Sequence, residues 1–185
     1  PMRSARLGGG PNNLTGEGEA LLKVDDRGEV VVNGPLILGP GAALEGEGTV
    51  SATEFIHEGV LSPGNSPGTL RLDGNFRLQP ASRTIIEIGG TDAGIGHDVV
   101  SLSQGQVSLG GKLVVKFING FAPRRDQLFS FLSAAGGIAG HFSAVEIEGL
   151  APGFQHELRP GGDGKMLALV ALSDGVAASA VERPR

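Results

Sequence analysis

Four histidines, His57, His97, His141 and His156, and the carboxylates near them are the side chains with the means for acid–base or metal chemistry. His57 lies between Ile56 and Glu58 with Glu54 three positions earlier, and the His97-Asp98 pair follows Asp92. Zinc needs three or four converging ligands and a supporting shell of hydrogen bonds, which scattered histidines at these spacings do not promise. Asp25-Asp26, Asp92 and Asp163 sit in glycine-flanked, loop-like stretches. Carboxylates so placed could collect Ca²⁺, a hard cation that takes oxygen ligands in flexible geometry. The nonapeptide signature of calcium-binding β-rolls is absent, and Asx turns account for the same residues without an ion. The expectation is no catalytic residue, no metal site and no cofactor, with Ca²⁺ the one ion kept open.

Other chemistries find less support. Gly64 to Gly68 reads superficially as a phosphate loop, but the Gly-Lys-Ser/Thr ending is missing and no helix follows whose N-terminus would hold an anion. The stretch is expected instead to be a corner, in which Pro63 and Pro67 fix φ while Gly64 and Gly68 supply positive φ. No Gly-x-Ser-x-Gly elbow presents a serine nucleophile, and the absence of cysteine removes thiolate chemistry. A glycan cleft usually offers Trp or Tyr platforms, and the chain has neither. The net charge of −5 is dispersed, with no basic cluster to track a phosphate backbone, so no nucleic-acid partner is expected.

The elements that would position these groups are short strands. Glycine makes up 32 of 185 residues, and Gly or Pro interrupts nearly every window in which a helical apolar period could run. Only residues 53–58 read as a helical turn. Apolar or alternating runs bounded by Gly, Pro, Asn or Asp predict strands at 20–24, 29–32, 35–38, 49–52, 59–61, 69–72 and 75–78. They continue at 84–88, 99–102, 106–109, 112–118, 128–132, 144–147 and 166–172. Leu70, Leu72, Phe76 and Leu78 alternate with Arg71, Asp73, Asn75 and Arg77, giving one apolar and one wet face. The Gly110-Gly111 pair between two such runs predicts a corner. Residues 1–13 are expected as a flexible arm, 14–173 as one domain and 174–185 as a tail.

The fold class is all-β. A parallel β-solenoid and a β-sandwich both join short strands by glycine turns, and periodicity does not separate them. The stretches Gly34-Pro35-Leu36-Ile37-Leu38, Gly74-Asn75-Phe76-Arg77-Leu78 and Gly105-Gln106-Val107-Ser108-Leu109 share a Gly-x-apolar-x-apolar form, which fits a solenoid with irregular rungs. No amphipathic cap is evident at either end.

Three motifs carry a resemblance. They are Gly59-Val60-Leu61-Ser62-Pro63-Gly64-Asn65-Ser66-Pro67-Gly68-Thr69-Leu70-Arg71-Leu72-Asp73-Gly74; then Asp98-Val99-Val100-Ser101-Leu102 with Val107-Ser108-Leu109-Gly110-Gly111-Lys112-Leu113-Val114-Val115; then Phe129-Ser130-Phe131-Leu132 leading to Gly140-His141-Phe142. This stretch resembles a segment of bacterial exported β-helix proteins of the autotransporter-passenger type. The resemblance implies a right-handed parallel β-helix, exported to the cell surface or beyond, serving as scaffold or stalk rather than as enzyme. No membrane barrel or sorting helix follows Leu172 here, so the export route is open.

The functional expectation is a non-catalytic extracellular structural module: a bacterial cell-surface or filament-forming β-solenoid subunit. It would join copies of itself through end-to-end β-strand contacts and touch cell envelope or matrix. No apolar run approaches the roughly 20 residues of a membrane span. Because the chain begins at Pro1, a signal peptide or larger upstream portion is expected to have been removed. The alternatives are the stalk fragment of an autotransporter-like adhesin and a polysaccharide-active β-helix enzyme, which would need carboxylates converging on one face.

Overall fold

A computed structural model describes residues 4–7, 12–14 and 20–178. Its strands in chain order are β1 (Ser4–Leu7), β2 (Asn12–Leu14), β3 (Ala20–Val24), β4 (Glu29–Val32), β5 (Pro35–Leu38), β6 (Ala42–Gly46), β7 (Thr49–His57), β8 (Val60–Pro63) and β9 (Thr69–Leu78). Then follow β10 (Arg83–Ile88), β11 (Val99–Gln104), β12 (Val107–Leu109), β13 (Lys112–Phe117), β14 (Leu128–Ala134), β15 (Ile138–Gly140), β16 (Ala144–Glu148), β17 (His156–Pro160) and β18 (Met166–Ala171). The described residues contain no α-helix, and the chain is all-β.

Two sheets share the strands. One has six, in the order β16-β13-β10-β8-β6-β3, and every pair in it is parallel. The other has twelve and is mixed: parallel from β1 to β14, then antiparallel where β18 joins β14 and β17 joins β18. From β3 to β16 the chain alternates between the sheets, so each strand pairs with one laid down a circuit earlier. Circuit length varies: the position facing the core moves from residue 44 to 61 in one circuit and from 113 to 145 in another. Parallel neighbours need such long connections, and that unevenness is why no regular repeat is visible in the sequence.

Register stacks like on like. Leu22, Leu44, Leu61, Thr84, Leu113 and Val145 form one inward column, and Leu36, Phe55, Phe76, Val107 and Ile138 another. Both belong to a single core lined by the two sheets. Such burial contributes roughly 1.5–3 kcal/mol per large aliphatic side chain. Two columns are interrupted by polar groups: Thr84 sits between Leu61 and Leu113, and His57 between Leu38 and Leu78.

The twelve-stranded sheet bends where β7 and β9 pass from one pairing segment to the next. Gly74 (φ 137°) and Gly105 (φ 87°) lie at that bend one circuit apart. A Cβ on Gly74 would run into the Ala52 carbonyl and one on Gly105 into that of Gly74, so the layers close up only without side chains.

Several expectations need correcting. Residues 53–58 are not a helical turn: 53–57 lie within β7, where burial alternates at period two and puts Phe55 and His57 inside, and Glu58 follows the strand's end. The runs 69–72 and 75–78 are one strand, β9. The strands β6, β15 and β17 were not anticipated. In the N-terminal stretch 1–13, expected as a flexible arm, β1 and part of β2 pair in parallel with β4 and β5, while residues 1–3 and 8–11 lie outside the described residues. Of the expected tail, Ala177 bridges Leu150 and the Ala178 N–H donates to the Gly149 carbonyl (3.0 Å); residues 179–185 lie outside the described residues. The parallel series also does not stop bare at its C-terminal side, because the β17–β18 hairpin extends one sheet there.

Candidate functional site

The Pro63–Gly68 turn is organised around Asp98. This carboxylate is fully buried. Its Oδ1 accepts a hydrogen bond from the Gly68 N–H (2.9 Å), and its Oδ2 accepts one from the Glu87 N–H (2.8 Å). Asp98 therefore ties the turn before β9 to β10 and to the start of β11. Gly64 (φ 85°) turns the chain and brings its Cα side to within 2.8 Å of Asp98 Oδ1, measured from where a Cβ would stand. The expected positive φ at Gly68 is not observed; Ser66 (φ 149°) has it instead. What Gly68 provides is its amide and a close approach to the Glu47 side chain.

Burial pushes Asp98 up to about 7. The Glu87 and Gly68 amides pull it down, and the charges of Glu87 and Glu47 push it further up. The phosphate reading fails on the same geometry. The Gly68 amide already holds a carboxylate, and an incoming anion would meet Asp98, Glu47 and Glu87 at the turn.

The histidines serve the interior. His57 is fully buried beside Phe76 (ring centroids 5.9 Å), with no hydrogen-bond partner for either nitrogen. Burial lowers it to about 4, partly offset by the nearby backbone of Val60 and Gly59. Glu54, three positions before His57, stands on the opposite face of β7 and pairs with Arg77 (3.0 Å), because three positions along a strand reverse the face. His97, also buried, has Nε2 3.2 Å from the Ser130 carbonyl and its ring edge-on to Phe129 (5.6 Å, 89°). Burial lowers it, while the Ser130 and Gly90 backbone and the Asp92 charge raise it. Half-buried His156 stacks on Phe154 (5.8 Å, 13°) and is lowered by burial. His141 is exposed.

Asp25, Asp26, Asp92 and Asp163 are exposed. Asp163 accepts from the Lys165 N–H (3.0 Å), and the Asp25 carbonyl accepts from the Gly28 N–H (2.8 Å), both local turn bonds. Among the described residues no three His, Cys, Asp or Glu side chains converge as a metal site would need. A surface cleft of about 120 Å³ is lined by Glu54, Asn75, Arg77, Gln106 and Ser108; within it Arg77 pairs with Glu54, and Asn75 Oδ1 accepts from the Gln106 N–H (3.1 Å). On the outer face of the six-stranded sheet, Lys112 pairs with Glu146 (2.8 Å), while Arg83 and Lys116 flank Glu148 (3.5 and 3.7 Å). Val114 is buried among them although it faces away from the core, the way long charged side chains cover apolar surface with their stems.

The structural roles of Asp98 and His57 had a signal in the sequence. Asp98 shares the parity of Val100 and Leu102, and His57 that of Phe55, so each was due to point inward. The chain matches no protein-family model and no curated protein.

Proposed function

We propose that this chain is a right-handed parallel β-solenoid acting as a non-catalytic structural module of a bacterial surface or extracellular assembly. The observation that carries the reading is the in-register parallel stacking of circuit upon circuit, with core columns running through both sheets. A sandwich built from meanders or Greek keys would pair its strands antiparallel; here antiparallel strand pairing begins at β18. The right hand follows from the strong preference of parallel crossovers for that sense. Export and a scaffold role rest on the resemblance to autotransporter-type passengers carried by the Pro63–Gly68 motif. The polar interior groups support a structural role as well, since Asp98 and His97 spend their hydrogen bonds on backbone.

End-to-end association is part of this reading. The outer edge of β3 has no partner strand among the described residues, and unpaired parallel edges are templates for further strands. The stalk of a longer adhesin is the second reading, favoured by the antiparallel hairpin at the other side, which suits the terminus of a series. Sedimentation and electron microscopy over a wide concentration series test the assembly. Particles of constant width that lengthen with concentration are expected; monodisperse monomers throughout would overturn self-association and leave the stalk. Polysaccharide depolymerisation that is lost on carboxylate substitution would overturn the non-catalytic reading.

A further inference from the structure

The parallel layers give way to the antiparallel β17–β18 hairpin, which is held to them by the β14–β18 ladder and, beside it, by a chain of rings. His97, in the loop before β11, lies edge-on to Phe129 of β14 (5.6 Å). Phe129 meets Phe117 of β13 (6.3 Å) and Phe121 (6.0 Å). Phe117 meets Phe154 (5.5 Å), and Phe154 stacks on His156, the first residue of β17 (5.8 Å). An imidazole thus stands at each end of the aromatic seam, one in the parallel body and one in the hairpin. Each has a buried Nδ1 without a hydrogen-bond partner. A proton added there puts a charge into a buried site against aromatic rings, a cost that the Gly90 backbone beside His97 and the Phe154 backbone beside His156 offset only in part.

We propose that the β17–β18 hairpin is an acid-releasable cap on the parallel body, and that protonation of His97 and His156 unseats it. Neutral pH keeps both rings uncharged and the seam closed. Few charges are placed to rescue the protonated forms. Asp92, in the same loop as His97, is the carboxylate whose field reaches that ring; Asp98 faces the other way, to Gly68 and Glu87. From β14 come Phe129 and the Ser130 carbonyl, and on β13 Lys116 turns outward to Glu148. Opposite His156 is Ala171 of β18, whose carbonyl takes the Asp126 N–H (2.8 Å). Asp174 is occupied by the Arg125 N–H (2.7 Å), and Glu157 and Arg159 of β17 pair with each other. Burial is the largest cause of the downward shift at both histidines, and His57, inside the body, titrates only near 4.

Residue-resolved hydrogen exchange at about pH 7.5 and about pH 5 tests this. Corrected for intrinsic rates, protection of β17, β18 and the β14 amides facing β18 is expected to fall at least about tenfold relative to β7, β9 and β13, since one unit of pH per histidine is worth up to tenfold. The double variant His97→Phe/His156→Phe is expected to remove the difference. Equal loss in hairpin and body, or unchanged hairpin protection, overturns the proposal. If the double variant does not fold, His156→Phe alone should shrink the effect, and an NMR titration of the unaltered protein decides. Both rings must titrate below about 6.5; values at or above that overturn it.

Discussion

Asp98 and Gly68, 30 residues apart in the chain, are joined by a 2.9 Å hydrogen bond from the Gly68 N–H to the Asp98 carboxylate. With the second bond to the Glu87 N–H, one fully buried side chain accepts from an amide of the turn and an amide of β10. Asp98→Ala is expected to destabilise the fold by about 2–4 kcal/mol, the cost of two buried donors left unpaired. Asp98→Asn, which keeps one acceptor oxygen, should cost less. Urea unfolding with an unchanged m-value measures both.

The pH dependence of stability should have two opposed limbs. His57 is lowered to about 4, so the folded state favours its neutral form. Its contribution is complete above about 6.5 and is lost as pH falls toward 4, on the order of 3 kcal/mol. Asp98 is raised to about 7, so the folded state favours its protonated form. That contribution is complete below the ordinary carboxylate value near 4 and is lost as pH rises toward 7, again a few kcal/mol. His57→Leu, which restores the Leu38–Leu78 column, should remove the His57 share of the acid-side loss and so raise stability at pH 4 relative to pH 7, leaving the smaller acid losses of His97 and His156 in place. Asp98→Asn should leave it rising over the same range. Unfolding midpoints across that range read both slopes, and parallel curves for the two variants would contradict the assignment.

The bend glycines make a steric prediction. Gly74→Ala and Gly105→Ala each place a Cβ against a carbonyl of the adjacent layer at positive φ, and each should cost about 2–4 kcal/mol. Gly120 also has positive φ (71°) but open space around it. Gly120→Ala should cost only about 1–2 kcal/mol. Thermal unfolding of the three separates contact from backbone strain.

Much of this architecture was legible because alternation is a local signal. The limits of β3, β4 and β5 follow from their apolar periods, and Gly111 (φ 65°) does form the corner the Gly110-Gly111 pair announces. What escaped is structure whose cause lies elsewhere in the chain. β6 is a run of Ala-Ala-Leu-Glu-Gly that becomes a strand by pairing with β3 and β8. β17, His-Glu-Leu-Arg-Pro, becomes one by pairing with the buried β18. The helical period at residues 53–58 lost to the ladder with Pro35–Leu38 and with β9. For the site, residue types drew attention to His57, Glu54, His97 and Asp98 as reactive groups. Strand parity, which sends His57 inward and Glu54 outward, is what made them structural instead.

The central claim is that successive circuits stack in parallel register. Ser101 of β11 and Ser133 of β14 are register partners, with Oγ atoms 3.2 Å apart, and the chain has no cysteine of its own. Ser101→Cys/Ser133→Cys should oxidise to an intramolecular disulfide in the native protein under mild conditions. Arg71→Cys/Ser133→Cys should stay reduced, since Arg71 pairs with Ser101 and stands one strand further away. Efficient closure of the first pair alone is the result the account predicts. Closure of the second pair, or of neither, would contradict it.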